Sequence, residues 1–126
     1  MNTPRTLRTV DPSGRPIVRV EMSNLPNVFA TVDAADYDRL IAEGVSCRWF
    51  INSNGQGTSY VRVSINGVRG NLVLPARLIL NAGRGEVVQY ATPDRLDLRR
   101  SNISIVKGWA KRQSQTPLQA EAAFAL

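Results

Sequence analysis

The stretch YVRVSINGVRGNLVL, residues 60–74, indicates the fold more directly than any other part of the chain. Apolar and polar residues alternate over YVRVSI, 60–65, which is the period of a strand with one buried face. Asn66-Gly67 favours a two-residue hairpin turn, because both residues tolerate positive φ. The return strand is then VRGNLVL, 68–74. Since SCRWFIN, 46–52, is predicted as a buried strand just upstream, the three segments form an antiparallel meander.

The residues before this meander predict two strands and a helix. IVRVEM, 17–22, alternates between apolar and polar residues, and VFATV, 28–32, continues in extended structure. DAADYDRLIAEG, 33–44, has its apolar residues on one helical face, with Asp33 placed to cap its start and Gly44 to end it. The first part of the chain therefore adds a short amphipathic helix to a strand-rich domain.

The residues after the meander predict a second helix and a further pair of strands. Pro75 suits the first position of a helix, so ARLILNAG, 76–83, is expected to be helical and to end on glycine. EVVQY, 86–90, and ISIV, 103–106, are predicted strands, separated by the polar loop or helical turn RLDLRRSN, 95–102. The expected class is α+β.

Both ends of the chain are predicted to lie outside the main domain, 17–112. Residues 1–16 are rich in proline and polar residues and are expected to form a flexible arm. From Lys107 the chain is expected to be helical, with a helical tail over 113–126. The apolar stripe of this tail is expected to cover core, with docking onto a partner as the alternative. Its members are Leu118, Ala122, Ala125 and Leu126.

Composition restricts the chemistry that the chain can perform. None of the 126 residues is histidine, which excludes Ser-His and Cys-His catalysis, imidazole zinc ligands and an imidazole general base. The one cysteine, Cys47, cannot form an internal disulfide, and its place beside Trp49 predicts a buried, inert thiol. Trp49 is expected in the core. The start of the chain shows no secretory signal and no apolar run approaches a membrane span, so we expect a soluble, cytoplasmic protein.

Charge favours a polyanionic partner. Sixteen basic residues, 14 of them arginine, against 10 acidic ones give a net charge of +6. The excess is concentrated between Arg95 and Arg112, where one acid, Asp97, lies among six basic residues. This basic cluster consists of Arg95, Arg99, Arg100, Lys107, Lys111 and Arg112, with Trp109 as a neighbour that is either exposed or buried. It is predicted to contact phosphates; the alternatives are a solvated face or partners for Asp94 and Asp97.

Several of these segments, in this order, resemble the phage HNH homing endonucleases of the His-Me finger class. The resemblance spans about 28–112 and rests on six motifs. They are ATVDAADYDRL at 30–40, CRWF at 47–50, YVRVSINGVRG at 60–70, RLIL at 77–80, EVVQY at 86–90 and LDLRRSNISIV at 96–106. The resemblance implies a ββα-metal finger at about 86–112, which in the family binds a divalent ion and cleaves phosphodiesters.

The chain departs from this family at each reactive position. Gln89 and Tyr90 stand where the family has its Asp-His pair, Ala76 stands where an upstream histidine is common, and Lys111 replaces the metal-binding asparagine. Glutamine is a weak ligand for a hard cation, tyrosine is a poor base at neutral pH, and lysine repels a divalent ion. Asn102 matches a structural asparagine of the family. The resemblance thus implies a degenerate finger with no metal, no cofactor and no catalysis.

Three functions remain open from the sequence. The first is a phage-encoded, anti-CRISPR-type inhibitor that blocks a nucleic-acid-handling defence complex of the bacterial host, either a CRISPR effector or a restriction nuclease. The second is a DNA-binding regulator or an accessory protein of a mobile element. The third is a residual nuclease in which Asp94 and Asp97 hold the ion. Retention of the core pattern without the chemistry favours a binding role.

Overall fold

The computed structural model describes residues 4–53, 55, 57–64 and 72–107. Within them the chain forms two short helices and eight strands in antiparallel sheets, which confirms the predicted α+β class. The elements are β1 (Thr6–Val10), β2 (Pro16–Met22), β3 (Leu25–Asp33), α1 (Ala34–Ala42), β4 (Phe50–Ser53), β5 (Ser59–Ser64), β6 (Leu72–Val73), α2 (Pro75–Leu80), β7 (Glu86–Tyr90) and β8 (Ile103–Lys107).

The first sheet has the strand order β1-β2-β3 and supplies much of the core. Val18 and Val20 of β2 lie opposite Val32 and Ala30 of β3, and all four side chains are buried. Leu40 of α1 belongs to the same buried cluster. The alternation in the sequence produces this arrangement, because residues two apart in a strand point to the same face.

The second sheet has the order β4-β5-β6 and confirms the predicted three-stranded meander. Val61 and Val63 of β5 are buried in the core cluster. Val63 pairs with Val73 of β6, as expected for a hairpin return strand. The predicted turn at Asn66-Gly67 lies outside the described residues.

The hairpin of β7 and β8 is joined by a loop, residues 91–102, that folds back onto the first sheet. Thr31 of β3 donates its N–H to the Leu96 carbonyl at 2.8 Å, and Leu98 donates its N–H to the Thr31 carbonyl at 2.8 Å. The Leu98 side chain is buried. These contacts fix the 91–102 loop against β3, so the predicted polar loop is an integral part of the domain.

The prediction of a loose arm over residues 1–16 is wrong for Thr6–Val10, which forms β1 and pairs with β2 along its whole length. Pro12 and Gly14 lie in a tight turn between β1 and β2. Asp11 accepts hydrogen bonds from Ser13 and from the Arg15 N–H, and Gly14 has the positive φ of 88° that closes the turn. The turn returns the chain to pair with itself.

The segment around Trp49 differs in part from its prediction. Trp49 is fully buried as expected, and its indole N–H donates to the Ser46 carbonyl at 2.8 Å. The strand begins only at Phe50, so Cys47 precedes it and is exposed. The expectation of a buried thiol at Cys47 is therefore wrong, because residues outside a strand do not share its alternation.

Both predicted helices are present, with changes at their ends. Asp33 lies at the N-cap position of α1, but its side chain makes no capping bond there. Gly44 follows the helix with a positive φ of 92°, as a terminating glycine does. Pro75 begins α2 as predicted, but the helix ends at Leu80 and is capped by Asn81, with a left-handed φ of 52°, and not by Gly83.

Most of the C-terminal predictions concern residues outside the described part of the chain. Strand β8 continues through Lys107, where a helix was expected to begin. The finger helix, Trp109, Lys111, Arg112 and the tail 113–126 lie outside the described residues. Among the residues that the structure describes, no helix is long and apolar enough to cross a membrane.

We predict that Trp49→Ala lowers the free energy of unfolding by about 3–5 kcal/mol, because it removes a fully buried aromatic side chain and leaves a cavity. Urea unfolding followed by far-UV circular dichroism measures the change. Arg84→Ala is the control, since Arg84 is exposed and its loss should leave the midpoint unchanged. Equal midpoints for Trp49→Ala and the parent would contradict this placement of the core.

Candidate partner-binding site

The two residues at the end of β7 lie on opposite faces of the strand. Gln89 is exposed, whereas Tyr90 is buried at 8% exposure. Burial raises the pKa of Tyr90 to about 12, because desolvation disfavours the phenolate. At neutral pH Tyr90 keeps its proton and cannot act as a general base.

A guanidinium lies against this tyrosine. The Arg95 Cζ is 4.6 Å from the centroid of the Tyr90 ring and 5.7 Å from that of Tyr60 on β5. Cation–π contact of this kind favours a planar cation at the ring faces. Arg95 therefore places a permanent positive charge beside Tyr90, which disfavours a divalent ion at the same place. Ala76 is buried in α2 and offers no ligand atom.

Asp94 and Asp97 are held within the 91–102 loop. Asp94 accepts the Leu96 N–H at 3.0 Å, as in an Asx turn. Both carboxylate oxygens of Asp97 accept from Arg99, at 2.8 and 2.7 Å. Among the described residues, no group of three or more acidic or cysteine side chains is arranged to hold a metal ion.

Arg99 bridges two carboxylates from distant parts of the chain. Besides Asp97, it donates to Asp11 Oδ2 at 3.2 Å, which joins the 91–102 loop to the β1–β2 turn. Hydrogen bonds to Asp97 raise the pKa of Arg99 above its ordinary value. Bonds from Ser13, with others from the Arg15 N–H and Arg99, lower the pKa of Asp11 to about 2. Arg99 therefore has a structural role.

Arg100 makes the corresponding connection to the helices. Its Nε and Nη2 donate to the two oxygens of Asp36 in α1, at 2.9 and 3.0 Å, and Nη2 also donates to the Ile79 carbonyl in α2 at 2.8 Å. The Arg100 N–H donates to Asp33 at 3.0 Å, which is why Asp33 does not cap α1. These bonds raise the pKa of Arg100.

Asn102 organises the interior of the same loop. It is 4% exposed, and its carbonyl oxygen accepts the Thr92 N–H at 3.0 Å. Its amide donates to the carbonyls of Asp94 and Asp97, at 3.3 and 3.0 Å. One buried side chain thus satisfies three backbone groups of a loop that has no regular secondary structure.

Two members of the basic cluster, Arg99 and Arg100, are engaged in ion pairs within the domain. Arg99 and Arg100 follow the alternative of pairing with acids, although Asp11 and Asp36 take part as well as Asp97. Lys107 remains open, since its side chain is 77% exposed and lies 3.8 Å from Glu86. Arg95 is stacked on the rings of Tyr60 and Tyr90, and Lys111, Arg112 and Trp109 lie outside the described part of the chain.

Exposed positive charge lies instead at residues that the sequence analysis did not single out. Arg15, Arg19 and Arg84 are exposed, and none of them forms an ion pair with a carboxylate of the described residues. Arg19 and Arg5 both lie over the Phe29 ring on the outer face of the first sheet, at 5.0 and 5.4 Å from its centroid. The alternation of IVRVEM could have identified Arg19, because it places that residue opposite the buried valines.

No protein-family model, curated protein or solved structure matches this chain. The resemblance to the HNH endonucleases therefore depends on the sequence motifs and on the positions described above.

We predict that Arg100→Ala lowers the free energy of unfolding by about 2 kcal/mol, because the buried Asp36 loses two charge-assisted hydrogen bonds. The Arg100 side chain is half exposed, so the loss should be smaller than for a fully buried pair. A double-mutant cycle with Asp36→Asn, measured by urea unfolding, isolates the interaction. Additive effects of the two substitutions would show that the pair contributes nothing.

A second prediction concerns acid stability. Since the folded-state pKa of Asp11 is about 2, below its ordinary 3.8, its contribution to stability is complete above about pH 4. It is lost as the pH falls towards 2, when the carboxyl group takes up a proton. We expect Asp11→Asn to destabilise the protein at pH 7 and to have little effect near pH 2. Thermal melts over this pH range measure the difference, and a constant difference at every pH would contradict the assignment.

Proposed function

We propose that the protein is a non-catalytic binding protein on a scaffold resembling an HNH nuclease, and that it blocks a nucleic-acid-handling defence complex of a bacterial host. The observation that carries the proposal is the stack of Arg95 on Tyr90. Where the family places a histidine base beside a metal ion, this chain has a buried tyrosine of high pKa and a fixed cation. Neither the metal ion nor the general base of a metal-dependent hydrolytic site is provided for at this position.

Two features support binding as the retained role. The loop around the former site is fixed by Asn102, Arg99 and Arg100, so the surface it presents is rigid. A rigid surface loses little conformational entropy when a partner binds, which favours affinity. The net charge of +6 suits a partner that carries nucleic acid or presents acidic groups where nucleic acid would bind.

Direct DNA binding is the second candidate, as a regulator or as an accessory protein of a mobile element. The observation that favours it is the exposed charge of Arg15, Arg19 and Lys107, which can contact phosphates without breaking a strong ion pair. A plain DNA-binding protein should lose affinity steeply as the salt concentration rises.

We predict that the protein does not cleave supercoiled plasmid in magnesium or manganese, and that neither ion shifts its thermal melt. A native-state metal site would raise the melting temperature by mass action. Nicking that is abolished by chelator and by Asp94→Ala or Asp97→Ala would overturn the proposal in favour of a displaced nuclease site.

Affinity capture from a bacterial lysate, with and without nuclease treatment, separates the two binding functions. A component of a defence complex that stays bound after nuclease treatment, and whose activity falls when the protein is added, supports inhibition. Recovery of nucleic acid alone supports the DNA-binding candidate. Arg15→Ala with Arg19→Ala is the matched test of the second outcome, and should flatten the salt dependence by about two phosphate contacts.

A further inference from the structure

Residues 44–85 are the longest stretch of the sequence without an acidic residue, and they contain five arginines. The described part of this stretch forms β4, β5, β6 and α2. By contrast, residues 1–43 contain six acidic and five basic residues. The second sheet and the helix that follows it therefore carry only positive charge of their own, and such a region attracts a polyanion.

Arg62 of β5 lies on the face of the second sheet opposite to its buried valines. It is directly across from Phe50 in the β4–β5 ladder, so these two side chains share a face. The neighbouring pair, Ile51 and Val61, points to the other face and packs in the core. Phe50 and Arg62 are both partly exposed. A partner can therefore reach the face that carries them.

The guanidinium of Arg62 has no acceptor among the described residues. Its Nε is buried without a hydrogen-bond partner, and Arg62 takes part in none of the ion pairs of the described chain. Arg77 of the same stretch is different, since its guanidinium donates to the Glu86 and Gly83 carbonyls at 2.6 and 2.9 Å. A partly buried cation without an acceptor is suited to an anionic oxygen from a partner, because it has already lost part of its hydration.

Aromatic rings lie beside Arg62 on this face. Phe50 is across from it, and Tyr60 precedes it by two residues on β5. The Tyr60 ring is already covered by the Arg95 guanidinium, whose Cζ lies 5.7 Å from the ring centroid. Arg95 thus adds a second positive charge, and Phe50 is the ring that is left to stack. Rings interleaved with guanidiniums suit a single-stranded nucleic acid, whose unpaired bases stack on rings and whose phosphates bind guanidiniums.

We propose that the β4–β5 face, which consists of Phe50, Tyr60, Arg62 and Arg95, binds a single-stranded nucleic acid. A base stacks on Phe50, and a phosphate of the same strand binds Arg62. A duplex fits less well, because its bases stack on one another and expose only their edges. An acidic protein segment would use the arginines but would leave the ring without a role. The proposal goes beyond the proposed inhibition, which requires no contact between this chain and nucleic acid.

Fluorescence anisotropy with a labelled oligothymidylate of about twelve nucleotides tests the proposal, since one small domain covers a strand of this length. At low salt the oligothymidylate should bind at least about tenfold more tightly than a duplex of the same length. Equal or tighter binding of the duplex would overturn the proposal, as would no binding of the single strand at about 100 μM protein. Displacement of the oligothymidylate by polyglutamate at equal charge would identify an acidic protein as the occupant and would also overturn it.

Variants at Phe50 separate base stacking from charge. Phe50→Leu keeps an apolar side chain but removes the ring, and should weaken the binding of oligothymidylate at least about fivefold. It should not change the binding of an abasic chain of the same length and charge, because that chain has no base to stack. Phe50→Tyr keeps the ring and should bind like the parent. An equal loss with both chains, or no loss with oligothymidylate, would contradict stacking on Phe50.

Variants at Arg62 test the phosphate contact. Arg62→Gln should weaken the binding of both chains and flatten the slope of log affinity against log salt by about 0.7, the value for one contact on a single strand. Arg84→Gln is the matched control, because it removes the same charge from the same acid-free stretch but lies between α2 and β7, outside the second sheet. Equal effects of the two substitutions would show that net charge alone matters, and would overturn the proposal.

An added carboxylate tests the same face if Arg62→Gln does not fold. Ser64→Glu places the carboxylate two residues beyond Arg62 on that face, and should weaken the binding of oligothymidylate at least about tenfold. Ser59→Glu adds the same charge to the other face of β5 and is the control. Equal losses from the two substitutions would count against the β4–β5 face.

The plasmid-cleavage experiment and the inhibition of a defence complex do not involve the β4–β5 face. Failure of the oligonucleotide tests therefore leaves the proposed function standing, and failure of the proposed function is recognised without them.

Discussion

The ion pair between Arg100 and Asp36 joins the 91–102 loop to α1, beside the hydrogen bonds by which Arg39 joins α1 to α2. Asp36 lies in the first turn of α1, where a carboxylate is already favoured by the helix dipole. Arg100 reaches it from the 91–102 loop and also binds the last turn of α2 through the Ile79 carbonyl. Because Asp36 is buried, loss of Arg100 removes two hydrogen bonds from its charge and leaves Arg39 Nη2 beside it at 3.7 Å. The position of the loop relative to both helices depends on this contact.

With the loop fixed, the geometry around the end of β7 follows. Asn102 satisfies the backbone inside the loop, and Arg99 ties its far side to the β1–β2 turn. Arg95 is then carried to the faces of Tyr60 and Tyr90. Burial keeps the Tyr90 phenol protonated at neutral pH, and the guanidinium of Arg95 stacks on its ring.

The structure also changes which surfaces are available to a partner. The arginines that are densest in sequence are largely engaged in internal ion pairs, while the exposed charge is spread over the β1–β2 hairpin and the ends of the β7–β8 unit. The β1–β2 hairpin combines this charge with a strand edge and exposed apolar side chains.

The sequence by itself determined the local elements and the limits on chemistry. The alternation over 17–22 and 60–65 depends on neighbouring residues, and strands form at both places. Pro75 begins α2 and Trp49 is buried, as the sequence predicts. The absence of histidine is a matter of composition and needs no structure. Only the tertiary structure decided the rest. The segment before β2 became a strand because a turn centred on Asp11 returned it to a partner, and Arg99 and Arg100 became internal because acids 88 and 64 residues away met them. Ion pairing across such separations depends on the folded path of the chain, which neither residue spacing nor charge density reveals.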